Sequence, residues 1–206
     1  MYLSEFVTIA LVHLVAVASP GPDFAVVLRN SIAYGRQTAI YTSLGIGVGI
    51  LLHVAYSLVG LSVLIQSTPW LFTTFSFLAA GYLVYLAIGA LKSQPGSVTS
   101  APEEHRLGTL SHQKAFWSGF LTNGLNPKAT LFFLSLFTAI ISTETPFPIK
   151  LAYGIYLSIA TAAWFCLLSY LLSTSKVANL IGKNGYWLDR AMGVILLGLA
   201  AKLVLL

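Results

Sequence analysis

The sequence predicts an all-α, polytopic membrane protein with six transmembrane helices. Three observations lead there. Of 206 residues, 57% are hydrophobic and 8% charged, against about 25% charged in an ordinary soluble domain, so lipid has to replace water around much of the surface. Six apolar stretches reach the ~20 residues that ~30 Å of hydrocarbon requires. The one stretch that reads as a solvated linker falls midway, at Ser93 to Gln113, with Pro95, Gly96, Pro102, Glu103, Glu104, His105 and Arg106.

The first apolar segment runs from about Leu3 to Leu28 and is interrupted by Pro20-Gly21-Pro22-Asp23. Ala16-Val17-Ala18 resembles a signal-peptide cleavage site, but Met1 to Glu5 contains no Lys or Arg, so the segment is expected to stay in the mature protein. The second segment, Ala39 to Ile65, carries Gly45, Gly47 and Gly49, a small-residue face suited to close helix packing. The third spans Trp70 to Leu91. The fourth, Ala115 to Ser142, is interrupted by Asn126-Pro127-Lys128. The fifth spans Ile149 to Ser173 and the sixth Trp187 to Leu206. Trp70 and Trp187, at segment starts, are expected to anchor at the membrane interface; Tyr82, Tyr85, Tyr153, Tyr156 and Trp164 fit either an interface or a cavity wall.

The net charge of +5 does not point to nucleic acid, because the basic residues lie between apolar runs and form no patch. They read as topology signals. Arg29, Arg36, Lys92, Arg106, Lys114, Lys176, Lys183 and Arg190 are eight of the eleven Lys and Arg, and all fall on one side of a six-span arrangement. The positive-inside rule then puts the linker in the cytoplasm and both termini outside. The single cysteine, Cys166, offers no disulfide framework or metal cluster within one chain and is read as a packing residue.

The chain divides into residues 1–92, a linker at 93–113, and residues 114–206, each outer part holding three segments. Pro22-Asp23-Phe24 matches Pro127-Lys128-Ala129, and Ala80-Gly81 resembles Met192-Gly193. Three crossings reverse direction, so the two parts are expected to be inverted repeats, a common plan of secondary transporters.

The interruptions are the candidate site. Proline removes a backbone donor and clashes with the preceding turn, so Pro20-Gly21-Pro22 should break the first helix. Asn126 is a good N-cap, and Pro127 suits the first helical position after it. Each segment should therefore restart as a half-helix whose unpaired N–H groups and partial positive charge can receive a carboxylate. Asp23 and Lys128 follow the prolines directly. A zwitterion could use both, its ammonium facing Asp23 and its carboxylate facing Lys128 and the helix starts. Asp23 could instead carry a proton, or the two charges could form a permanent ion pair or sit at the cytoplasmic interface. His53 and His13 lie inside segments, each fitting either proton transfer or a neutral histidine bonded to a neighbouring helix. Asn123, one turn before the second break, could cap, bond across helices or bind substrate. The candidate set is thus Ser19, Pro20, Gly21, Pro22, Asp23, His53, Asn123, Asn126, Pro127 and Lys128.

Two stretches are also recognisable. Val12-His13-Leu14-Val15-Ala16-Val17-Ala18-Ser19-Pro20-Gly21-Pro22-Asp23-Phe24, with Asn30 and Gly35-Arg36 following, resembles the opening of the LysE/RhtB amino-acid exporters. Gly119-Phe120-Leu121-Thr122-Asn123-Gly124-Leu125-Asn126-Pro127-Lys128-Ala129 resembles that family's second motif, and the likeness runs over nearly the whole chain. The resemblance implies proton-driven efflux of threonine, homoserine, lysine, arginine or similar molecules from a bacterial cytoplasm, with the first stretch nearest the threonine and homoserine branch. The expected partners are a small amino acid, protons and the lipid bilayer, with no nucleic acid and no cofactor; a homo-oligomer is left open. The second reading is an exporter of metal or other cations, which would want several carboxylates or thiolates, whereas the segments are read as offering only Asp23 and Cys166. An intramembrane enzyme is not expected: there is no H-E-x-x-H, and no second membrane aspartate is read from the segments. No G-x-x-x-x-G-K-[ST] loop is present for an ATP-driven motor.

Overall fold

In the computed structural model, residues 2–67, 69–94, 109–171 and 175–205 are described, and among them every regular element is a helix. The order is α1 (Tyr2–Ala18), α2 (Pro22–Tyr34), α3 (Arg36–Ser67), α4 (Pro69–Leu91), α5 (His112–Gly124), α6 (Pro127–Ile140), α7 (Phe147–Leu171) and α8 (Ser175–Leu205). Within α3, Arg36–Gly60 is long and apolar enough to cross a membrane, and so is α7; α1 and α2 reach that standard together, as a pair bent by 52°. Ala80–Leu91 of α4 and the whole of α6 are shorter apolar helices. Most of the linker, residues 95–108 with Glu103, Glu104, His105 and Arg106, lies outside the described residues, as do the side chains of Lys176 and Lys183.

Both expected interruptions are present. The ladder of α1 runs out at Ser19, whose N–H bonds to Val15 O at 3.1 Å, because Pro20 and Pro22 have no N–H to offer. It restarts when Ala25 N–H reaches Gly21 O at 2.9 Å. In the second break Asn126 N–H folds back to Asn123 O at 2.8 Å, and α6 begins with Thr130 N–H on Asn126 O at 3.0 Å. Between α2 and α3 the chain turns at Gly35, whose φ of 88° favours glycine over any residue with a Cβ.

Helix α3 is the hub. It packs against α2, α5, α6 and α7, while α4 lies along α8. Glycines permit the closest approaches: a Cβ on Gly45 would overlap the Phe116 carbonyl of α5, and one on Gly119 of α5 would overlap the Thr42 carbonyl of α3. The three glycines of α3 do not form one face. Gly45 and Gly49 meet α5, whereas Gly47 meets Ser158 and Ala162 of α7. The expected Ala80-Gly81 and Met192-Gly193 match is also unequal in surroundings. Gly193 packs against Ala87 and Leu91, but a Cβ on Gly81 would meet nothing within 4 Å. Hydroxyls and amides tie the helices as well: Asn30 Nδ2 donates to Thr42 Oγ1 at 2.8 Å, and Ser158 Oγ donates to Gly47 O at 2.7 Å. Such bonds bring polar groups together that lipid would leave unsatisfied.

The sixth segment starts earlier than the sequence indicates. Helix α8 begins at Ser175 rather than at Trp187, so Asn184 and Gly185, ahead of the predicted start, are helical as well. Trp70 and Trp187 are both well exposed.

Candidate functional site

Local chemistry explains how each helix restart is built, and the two differ. Asn126 caps α6: its Oδ1 accepts from Lys128 N–H at 3.0 Å and Ala129 N–H at 3.4 Å, with Pro127 in the first turn, where no N–H is needed. Helix α2 also opens on a proline, but its N-cap is Gly21, and no side chain caps it. The expectation that both starts are open to a ligand is thus corrected. Asn126 already occupies the α6 start, and α2 alone keeps a first turn without a side-chain cap.

The two restarts meet. A Cβ built on Gly21 would lie 3.7 Å from Lys128 Nζ. Between them lies a cavity of about 60 Å³, lined by Ser19, Gly21, Pro22, Asp23, Asn123, Asn126 and Lys128 on its polar side. Phe24, Phe132, Phe133, Phe165 and Met192 help to form the apolar side. One buried water needs roughly 10–15 Å³ on this measure, so the space suits a small solute and not a peptide.

Asp23 is held by Asn123, whose Nδ2 donates to Asp23 Oδ2 at 2.8 Å. Asp23 Oδ1 and Asn123 Oδ1 are buried with no hydrogen-bond partner. His53 stands behind this pair. It is not a lining residue; its Nε2 donates to Asn123 O at 3.0 Å, and its ring stacks on Phe133 at 5.7 Å. His13, which the candidate set omitted, does line the cavity and bonds through Nε2 to Thr161 Oγ1 of α7 at 2.9 Å. Both histidines are therefore bonded to a neighbouring helix. Pro20 and Pro127 shape the breaks without lining the cavity, and neither do Tyr82, Tyr85, Tyr153, Tyr156 or Trp164.

Two carboxylates were missed. The reading that the segments hold no second aspartate is corrected by Asp189 of α8, which lies within the predicted sixth segment. Ser19 Oγ donates to Asp189 Oδ1 at 2.7 Å, and Ser93 Oγ donates to Asp189 Oδ2 at 2.8 Å. Lys128 Nζ in turn donates to Ser19 Oγ at 3.4 Å. Asp189 lies just inside that segment's start, next to Arg190, and its reach to Ser19 and Ser93 needs the fold. The second missed group is Glu5, buried and accepting from Ser142 N–H at 3.1 Å and from Thr145 Oγ1 at 2.9 and 3.0 Å. It ties the start of α1 to the α6–α7 connection and is not part of the cavity wall. Among the described residues, no three His, Cys, Asp or Glu side chains gather as a metal ion would need.

The model of the LysE type translocator family matches residues 14–206. The chain belongs to this family. Among curated relatives of the translocator, the threonine efflux protein of Salmonella typhi is 29% identical, covering 98% of each chain. The threonine efflux protein of Escherichia coli K12 is 28% identical over the same shares. The leucine efflux protein of Salmonella choleraesuis is 31% identical, covering 91% of this chain and 88% of its own. No solved structure matches the translocator.

Proposed function

We propose that the protein is a secondary exporter of small zwitterionic amino acids across a bacterial inner membrane, driven by the proton-motive force. The observation that carries this reading is the junction of the two helix breaks: one small cavity with an acceptor lacking a partner on Asp23, a cation on Lys128, and an uncapped helix start at Gly21. The substrate ammonium sits against Asp23 Oδ1. Its carboxylate sits between Lys128 Nζ and the start of α2, where dipole and ammonium act together. The side chain extends toward the aromatic wall and His13. Relatives named as threonine and leucine efflux proteins support an amino-acid substrate of this size.

In this reading the chain crosses the membrane six times: α1 with α2, α3, α4, α5 with α6, α7 and α8. The order broken, unbroken, unbroken recurs in residues 1–92 and 114–206, joined by 93–113. A twofold exchange of the halves pairs α3 with α7 and α4 with α8, and both pairs are in contact, which supports inverted repeats. The distribution of basic residues favours a linker in the cytoplasm and both termini outside. Export of metal or other cations is the weaker reading, because the cavity offers a carboxylate beside an ammonium rather than a cluster of ligands.

The test is efflux from cells preloaded with a panel of labelled amino acids. Cells making the protein should lose at least one small amino acid faster than controls, and a protonophore should abolish the difference. Equal loss of the whole panel with and without the protein refutes the reading, and efflux that survives the protonophore refutes the coupling.

A further inference from the structure

We propose that Asp189, joined through Ser19, is the hydrogen-bonded counter-charge of Lys128, and that this leaves Asp23 Oδ1 to the substrate ammonium. The proposal rests on the exporter reading above and assigns a role to a residue outside the two motifs.

The geometry separates the two carboxylates. Both oxygens of Asp189 accept from hydroxyls, Ser19 at 2.7 Å and Ser93 at 2.8 Å. Both lone acceptors satisfied by donors is the pattern of an ionised carboxylate held in place. Ser19 is at the same time the acceptor for Lys128 Nζ at 3.4 Å, so a single hydroxyl joins the ammonium to Asp189. Asp23, by contrast, receives one bond from the Asn123 amide and keeps Oδ1 without a partner on the cavity wall. Arg190, the next residue along α8, lies over the rings of Tyr186 and Trp187, at 5.0 and 5.4 Å from their centroids.

With its ammonium held through Ser19 toward Asp189, Lys128 leaves Asp23 Oδ1 to the substrate ammonium. Were Asp23 and Lys128 paired instead, the zwitterion would have to break that pair before its own ammonium reached Asp23. Asp189 is thus a positioning residue: through Ser19 it holds the Lys128 ammonium in place, without touching substrate.

The test uses the full-length protein in proteoliposomes with labelled L-threonine, or L-leucine where the efflux panel selects it. Four variants are compared: Lys128→Gln, Asp189→Asn, the two combined, and Asp189→Glu. Each single neutralisation is expected to raise KM on the order of tenfold or more: Lys128→Gln removes the cation that receives the substrate carboxylate, and Asp189→Asn removes the acceptor that holds that cation in place through Ser19. The double variant, with both charges gone, should be no worse than Lys128→Gln alone, and Asp189→Glu should keep KM within about threefold of wild type. Should Asp189→Asn fail to fold while the double variant folds and transports like Lys128→Gln, the pairing stands. Effects that multiply in the double variant, or an Asp189→Asn protein with wild-type KM, overturn it. A wild-type protein that moves no amino acid at all would instead sink the exporter reading, so the two failures are distinct.

Discussion

Asp23 and Lys128 each follow a proline at a helix restart, and the consequences of that position differ. An acidic residue at a helix start is favoured by the dipole, and a basic one is disfavoured by roughly 0.3–1 kcal/mol in exposed helices. Lys128 therefore sits where the local field opposes it, which makes sense only if partners elsewhere compensate. Its Nζ donates to Ser19, and its backbone N–H is taken up by Asn126. Asp23→Asn and Lys128→Ala are each expected to cut efflux by about tenfold or more while the protein still reaches the membrane; efflux rate and membrane fractionation check this together. Asn126→Ala uncaps two N–H groups and should cost about 1 kcal/mol of stability, read as a lower melting temperature in detergent. His53→Ala removes the donor to Asn123 O rather than a cavity wall. It should weaken transport by loosening the Asn123–Asp23 pair, and a transport defect equal to that of Asp23→Asn would argue that the histidine acts directly.

At the scale of elements, the breaks were legible because proline is unambiguous. Pro20, Pro22 and Pro127 delete backbone donors wherever they stand, and Asn126 before Pro127 is a cap by chemistry alone. What the sequence did not carry was the difference between the two starts, since that depends on whether a side chain turns back onto its own helix. Asn126 does so, and Gly21 has nothing to turn. The glycines of α3 were legible as packing residues, but their division between α5 and α7 was not, because it depends on which neighbours surround the helix. Close backbone approach at Gly45 and Gly119 gives a direct expectation. Gly45→Val or Gly119→Val would drive a side chain into a carbonyl of the facing helix and should destabilise by at least ~1–3 kcal/mol. Gly81→Ala and Gly89→Ala, where a Cβ meets nothing within 4 Å, should be neutral when melting temperatures in detergent are compared.

The whole molecule explains why Asp189 and Glu5 escaped the sequence reading and why His13, though weighed, stayed outside the candidate set. Each gains its partner from a segment far away in the chain. Asp189 reaches Ser19 and Ser93, Glu5 reaches Thr145, and His13 reaches Thr161. The early start of α8 escaped because residues such as Asn184 and Gly185 fall outside the apolar run that marks a segment, yet are helical here. The arrangement that results brings the start of α2, the start of α6 and the middle of α8 to one small cavity. The central claim is that this cavity takes both ends of one amino acid at once. It is tested most directly by placing a cysteine at Ala129, on the cavity wall, in a Cys166→Ser background and timing its alkylation by a permeant maleimide. The transported amino acid should slow alkylation, whereas its decarboxylated amine and its deaminated acid at equal concentration should not. Alkylation that ignores the amino acid, or that either half slows equally well, would contradict the account.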